Sequence, residues 1–103
     1  VIQLQIEKGN TVRIEIEFLD FDNNPAEPTN ITFKIYDIKY VELSSNDLTS
    51  DNKASNSNGD IIPGKYFIDH VFVTIGSFYI EFLGYINGKP TVKREKVNVV
   101  FND

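Results

Sequence analysis

Three observations predict an all-β chain folded as a two-sheet sandwich of seven or eight mainly antiparallel strands. Apolar and polar residues alternate along at least five segments. Residues two apart share a face in a strand but scatter around the circumference of a helix. Five tyrosines and eight phenylalanines crowd a chain of 103 residues, and such rings pack well on a pleated surface. No segment carries a convincing helical period. Strands that are apolar on one side need a second sheet to cover that side.

The first strand is predicted over 1–7, where Ile2, Leu4 and Ile6 alternate with Gln3, Gln5 and Glu7. Gly9-Asn10 is a turn signal. The clearest alternation follows over 11–21, with Val12, Ile14, Ile16 and Phe18 set against Arg13, Glu15 and Glu17. Asp20 to Thr29 contains two prolines and reads as a loop. Ile31, Phe33 and Ile35 mark a strand over 30–37, and a short one is predicted over 38–43. Residues 44–60 are almost entirely Ser, Asn, Asp and Gly. Their composition predicts a mobile loop, with a short edge strand over 47–50, near Leu48, as the alternative. A strand over 65–73 is entered through Pro63-Gly64, and Ile75-Gly76 makes a corner. Phe78, Ile80 and Phe82 give the core face of a strand over 77–86. Asn87-Gly88 is a hairpin signal, since both residues tolerate positive φ. The last strand is predicted over 90–101, with Val97, Val99 and Phe101 facing the core. Pro90 stands at its start, where a missing ladder donor does little harm. These positions fit the strands of an immunoglobulin-like sandwich in one domain spanning 1–103.

Fifteen acids against ten bases give a net charge of −5, which disfavours phosphate backbones and anionic membrane surfaces as partners. There is no cysteine, so thiolate catalysis, zinc–thiolate sites and disulfides are excluded, and the compartment stays open between cytosol and exterior. No stretch approaches the ~20 apolar residues of a membrane helix. The chain has no methionine, which suggests a processed chain or a fragment of a longer one.

No residue pattern predicts catalysis, a cofactor or a firm metal site. His70 is the sole histidine. A general base needs a nucleophile or an orienting partner, and no serine motif supplies one, so His70 reads as a half-buried strand residue. Asp20, Asp22 and Asn24 alternate like the first ligands of a calcium loop, but Pro25 follows and Glu27 is the only acid close behind. A polar turn is the better reading. Glu15 and Glu17 lie on one strand and point the same way, which does not set two carboxylates across a cleft as glycoside hydrolysis requires.

The outward aromatics are the best candidates for function. If Phe78, Ile80 and Phe82 face the core, then Tyr79, Leu83 and Tyr85 face out, and Tyr36 does so from its own strand. In an immunoglobulin-like sandwich these strands are neighbours, so Tyr36, Tyr79, Leu83 and Tyr85 are predicted to form an apolar–aromatic interaction face with Lys93 at its edge. Tyrosine suits interfaces because a rigid ring buries area while its hydroxyl stays bonded. The plainer reading is ordinary cross-strand support. The first and last strands are predicted to be sheet edges, and Lys93, Arg94, Glu95 and Lys96 form a charged run suited to edge protection.

Gly9-Asn10-Thr11-Val12-Arg13-Ile14, the turn Phe18-Leu19-Asp20-Phe21-Asp22-Asn23-Asn24-Pro25 and the strand Pro28-Thr29-Asn30-Ile31-Thr32-Phe33-Lys34-Ile35-Tyr36-Asp37 are similar to small Ig-like domains of tailed-bacteriophage structural proteins and bacterial surface proteins. Gly64-Lys65-Tyr66 and Gly76-Ser77-Phe78 fit the same pattern, with Phe78 standing where many such domains have a corner tyrosine. The resemblance implies a β-sandwich used as spacer, decoration or adhesion module, in a virion or at a cell surface, with no catalytic residues to carry over. The expected role is therefore a non-enzymatic structural or interaction module of a phage virion or assembly, binding a protein partner or itself. The alternative is a bacterial adhesion module binding a protein or glycan. Glycan platforms usually lean on tryptophan, which this chain lacks.

Overall fold

The computed structural model describes residues 4–101 and shows eight strands. They are β1 (Leu4–Glu7), β2 (Thr11–Glu17), β3 (Thr29–Tyr36), β4 (Glu42–Asp47), β5 (Lys53–Ser55), β6 (Ile61–Val71), β7 (Gly76–Ile86) and β8 (Lys89–Val100), with one 3-10 turn at Ser50–Asn52. One sheet has the order β1-β8-β7-β3-β4 and the other β2-β6-β5. All pairings are antiparallel except β1 with β8. Strands that follow one another in sequence cross between sheets at β1–β2, β2–β3, β4–β5 and β6–β7. This is the immunoglobulin arrangement, with β3 and β7 central in the larger sheet.

The alternation seen in the sequence becomes the core. Ile14 and Phe18 from one sheet meet Ile31, Phe33, Ile35, Ile80, Phe82, Val97 and Val99 from the other. Phe18, Phe33 and Val97 are fully buried. Asn87 and Gly88 adopt φ of 53° and 77°, so the β7–β8 hairpin turns as its sequence predicts. Strand ends differ by a few residues from expectation. The strand predicted over 11–21 stops at Glu17, after which Leu19 bridges to Pro25 across the loop. Residues 1–3 of the predicted first strand lie outside the described residues.

Four expectations need correction. The strand predicted over 38–43 is displaced to Glu42–Asp47, because Asp37 holds a turn: its carboxylate accepts the backbone N–H groups of Lys39 (2.8 Å) and Val41 (3.0 Å). Residues 44–60 are not one structureless connection. They complete β4, make a 3-10 turn capped reciprocally by Thr49 and Asn52, and supply β5. Phe101 does not join the core. It lies beyond β8, is exposed, and has the Lys8 ammonium 5.8 Å from its ring. Finally, β8 is not a free edge along its whole length, since β1 pairs with Val97–Val100. The charged run at 93–96 adjoins that pairing, where no described strand covers β8.

Candidate functional site

Antiparallel register assembles the outward face of the five-stranded sheet. Tyr36 pairs with Tyr79, Thr32 with Leu83 and Thr29 with Tyr85. Opposed residues in a ladder point the same way, so Tyr36, Tyr79, Leu83 and Tyr85 share one face, and all four are half-buried. Lys93 does not belong there. It opposes Phe82, a core residue, and so lies on the inner side of β8. The basic residues on the tyrosine face are Lys34 and Arg94, which flank Glu81 from β3 and β8, and Lys96, opposite Tyr79.

Two features of this face escaped sequence reasoning. The first is Glu81, which sits mid-face with only 7% of its surface exposed. Arg94 Nε donates to its Oε2 at 2.7 Å, and the Tyr36 hydroxyl reaches its Oε1 at 3.4 Å. A carboxylate held out of water needs such partners, because desolvation otherwise outweighs its attraction to them. Burial, and then the Glu81 charge, raise the Tyr36 pKa. Lys34 pairs with Glu42 at 3.1 Å along the β3–β4 margin.

The second is Tyr40. It occupies the Asp37–Val41 turn at φ 63°, a left-handed conformation that costs a bulky side chain strain. Its ring lies almost parallel to that of Tyr79, with centroids 4.6 Å apart and planes 13° from parallel. Glycine or asparagine would make this turn without strain, but neither would supply the ring. The aromatic face therefore runs off the sheet and onto the turn.

The other candidates lie elsewhere. Glu15 pairs with Lys65 at 3.1 Å on the smaller sheet, where Arg13 grips Asp69 through two hydrogen bonds of 2.8 and 2.9 Å and lies 4.0 Å over the Phe67 ring. Asp20 Oδ1 accepts the backbone N–H groups of Asp22 and Asn24, so that oxygen is committed to closing its own turn. His70 faces inward beside Phe72, 4.6 Å between centroids, and burial lowers its pKa, leaving the ring neutral at pH 7. Glu27, which the sequence offers only as an acid behind the Asp20–Asn24 turn, ties the β2–β3 loop to β6 and β5. It accepts the Tyr66 hydroxyl at 2.6 Å and the Gly64 N–H at 2.9 Å, with Lys53 at 3.6 Å.

That junction sets a pH dependence. The Tyr66 hydrogen bond, then the Gly64 N–H, hold the Glu27 carboxyl below its ordinary 4.5. A depressed folded value means stability that is present above the unfolded value and lost as pH falls through the folded one. Burial, then the bond to Glu27, push Tyr66 up to about 12. A raised folded value means stability kept below the ordinary 10.0 and lost as pH climbs toward about 12. Tyr66→Phe is expected to flatten both flanks of a melting-temperature profile measured against pH. Flanks as steep as those of the unmodified protein would contradict this assignment.

No helix among the described residues is long and apolar enough to cross a membrane. No family model matches the chain, and no curated protein sequence is significantly similar to it. The fold and the face together define an immunoglobulin-like β-sandwich with an aromatic outer sheet surface.

Proposed function

We propose that the chain is a non-enzymatic interaction module that buries the Tyr36, Tyr79, Leu83 and Tyr85 face against a protein partner or a second copy, as a structural component of a phage virion or related assembly. The observation that carries the interaction reading is Tyr40. A strained tyrosine stands in a turn that glycine would fill more easily, and its ring, stacked on Tyr79, extends the face. The Glu81–Arg94 pair supports the same reading, since a buried carboxylate held by an exposed guanidinium presents a fixed charge amid aromatic rings and adds specificity to an interface. The phage setting rests on the resemblance of residues 9–25 and 28–37 to Ig-like domains of tailed-phage structural proteins.

Replacing Tyr79 and Tyr85 together by serine is expected to weaken self-association or partner binding at least about tenfold, read by sedimentation and by pull-down from reconstituted assemblies. Tyr40→Gly is expected to weaken it too while leaving the melting temperature nearly unchanged, because strain relief offsets the lost stacking. Unaltered association in both variants would sink the proposal. A second reading, a bacterial surface module binding a glycan, draws on the Tyr40 ring, which is 62% exposed beside Tyr79. A glycan array without hits removes it.

A further inference from the structure

The sandwich is unevenly closed on the side where β4 ends the larger sheet. Across the gap, β5 pairs with β6 only between Ile61 and Tyr66. Beyond Tyr66, Leu43 and Ser44 of β4 face His70 across an open cleft of about 230 Å³, floored by Ile35, Phe72 and Phe78. Ser44 opposes the core residue Ile35 and so points inward. Its hydroxyl is the one buried side-chain polar atom among the described residues with no hydrogen-bond partner. Native proteins rarely leave such a group unsatisfied, because it has been stripped of water without compensation. Leu43, Val71 and Val73 leave an exposed apolar rim.

We propose that this cleft and the adjoining edge of β4 dock an extended, basic peptide strand, which places one large apolar side chain in the cleft. The cleft lies on the opposite side of the larger sheet from the tyrosine face, whose margin the docked strand adjoins through Glu42 and Asp47. Three observations set the chemistry of the occupant. The outer edge of β4 has no described strand beside it, so its backbone N–H and C=O groups can pair with an added strand. The cleft is smaller than a typical cofactor pocket and suits a single side chain. Glu42 and Asp47 stand on the solvent face of β4, opposite Tyr36 and Thr32. Glu42 already pairs with Lys34, whereas Asp47 makes no ion pair among the described residues, and a strand laid on this edge sets its own outward side chains beside both acids, where lysine or arginine is favoured, most of all at Asp47. The net charge of −5 draws the same kind of partner. A second copy fits less well: antiparallel pairing of β4 with β4 gathers Glu42 and Asp47 of both chains on one face, where like charges on adjacent strands repel.

The test is an amide-shift titration of the full chain with the capped peptide Lys-Val-Lys-Phe-Lys-Val-Lys. Shifts are expected at Leu43, Ser44, Ser45 and His70 to Val73, with slowed amide exchange along β4. A peptide with glutamate in place of each lysine should bind at least about tenfold more weakly. Leu43→Asp, at an exposed position, should cost about tenfold. Asp47→Lys should cost affinity for the basic peptide without touching the core, and Tyr79→Ser should cost none. The proposal is overturned by no shifts up to about 2 mM peptide, by shifts centred on Tyr79, or by equal binding of the acidic peptide. It is overturned equally if N-acetylphenylalanine amide alone binds as tightly, or if the protein pairs β4 with a second copy instead.

Discussion

Gly64→Ala is expected to destabilise the fold by about 3–5 kcal/mol, a large share of what a domain of this size possesses. Gly64 sits at φ 73°, and a Cβ there meets the carbonyl oxygens of Ala26 and Phe18, each at 2.8 Å. The Phe18 oxygen cannot retreat freely, because it accepts the Ala26 N–H at 3.0 Å while the Phe18 N–H donates to Gly64 O at 2.8 Å. The left-handed conformation alone costs a side-chain-bearing residue about 1–2 kcal/mol, and the double contact with backbone adds the remainder. Gly88 is the internal control. It adopts φ 77° in the β7–β8 hairpin with no atom near its missing Cβ, so Gly88→Ala carries the conformational cost without the clash. Urea denaturation separates the two, and equal losses at both positions would refute the clash.

Phe18→Ala is expected to cost about 4 kcal/mol, within the range for deleting a buried aromatic side chain. The Phe18 ring is wholly buried, and it meets Tyr66 edge-on with centroids 6.3 Å apart. Its outer edge fills a notch that exists because residue 84 is glycine. A Cβ on Gly84 lies 3.0 Å from Phe18 Cε1 and 2.9 Å from Pro28 Cβ. Gly84→Ala should therefore cost about 1–3 kcal/mol by overpacking. Combined with Phe18→Leu, which trims the ring, it should cost less than the two losses added, by about 0.5 kcal/mol or more. Strict additivity in a double-mutant cycle would show that the two positions do not share this space.

The strands that could be read from the sequence are those with one wet and one dry face. In β2, β3 and β7 the inward positions are apolar and the outward ones, Leu83 apart, polar or aromatic, so the phase of the pattern fixes the face. The same phase placed Tyr36, Tyr79, Leu83 and Tyr85 together. β4 and β5 lack such a signal because β4 borders an open cleft: its inward positions are Ser44 and Asn46, and polar residues there look like loop. Backbone pairing to β3 and the Thr49 cap hold this region instead. Lys93 lies on the inner side of β8 and not at the edge of the tyrosine face; four consecutive charged residues carry no phase, and only the register against Phe82 supplies it. Glu81 looked like an ordinary solvated acid, and its cover of Arg94 and Tyr36 comes from two other strands. The signal for Tyr40 was present in outline, as an Asp three residues before it that can close a turn, but nothing local says that its ring would reach Tyr79.

The parallel pairing of β1 with β8 also sets how the domain would resist a pull on its ends. The two strands run in the same direction, with Leu4 beside Val97 and Glu7 beside Val100. Tension applied through Leu4 and Val100 in opposite directions slides one strand along the other. Every hydrogen bond between them then carries force at once, whereas a hairpin pulled from its open end parts one rung at a time. The shortest strand flanking the larger sheet is thus its mechanical clamp. A spacer hung between two stressed neighbours would hold or fail at Leu4–Glu7, well before the core came under strain.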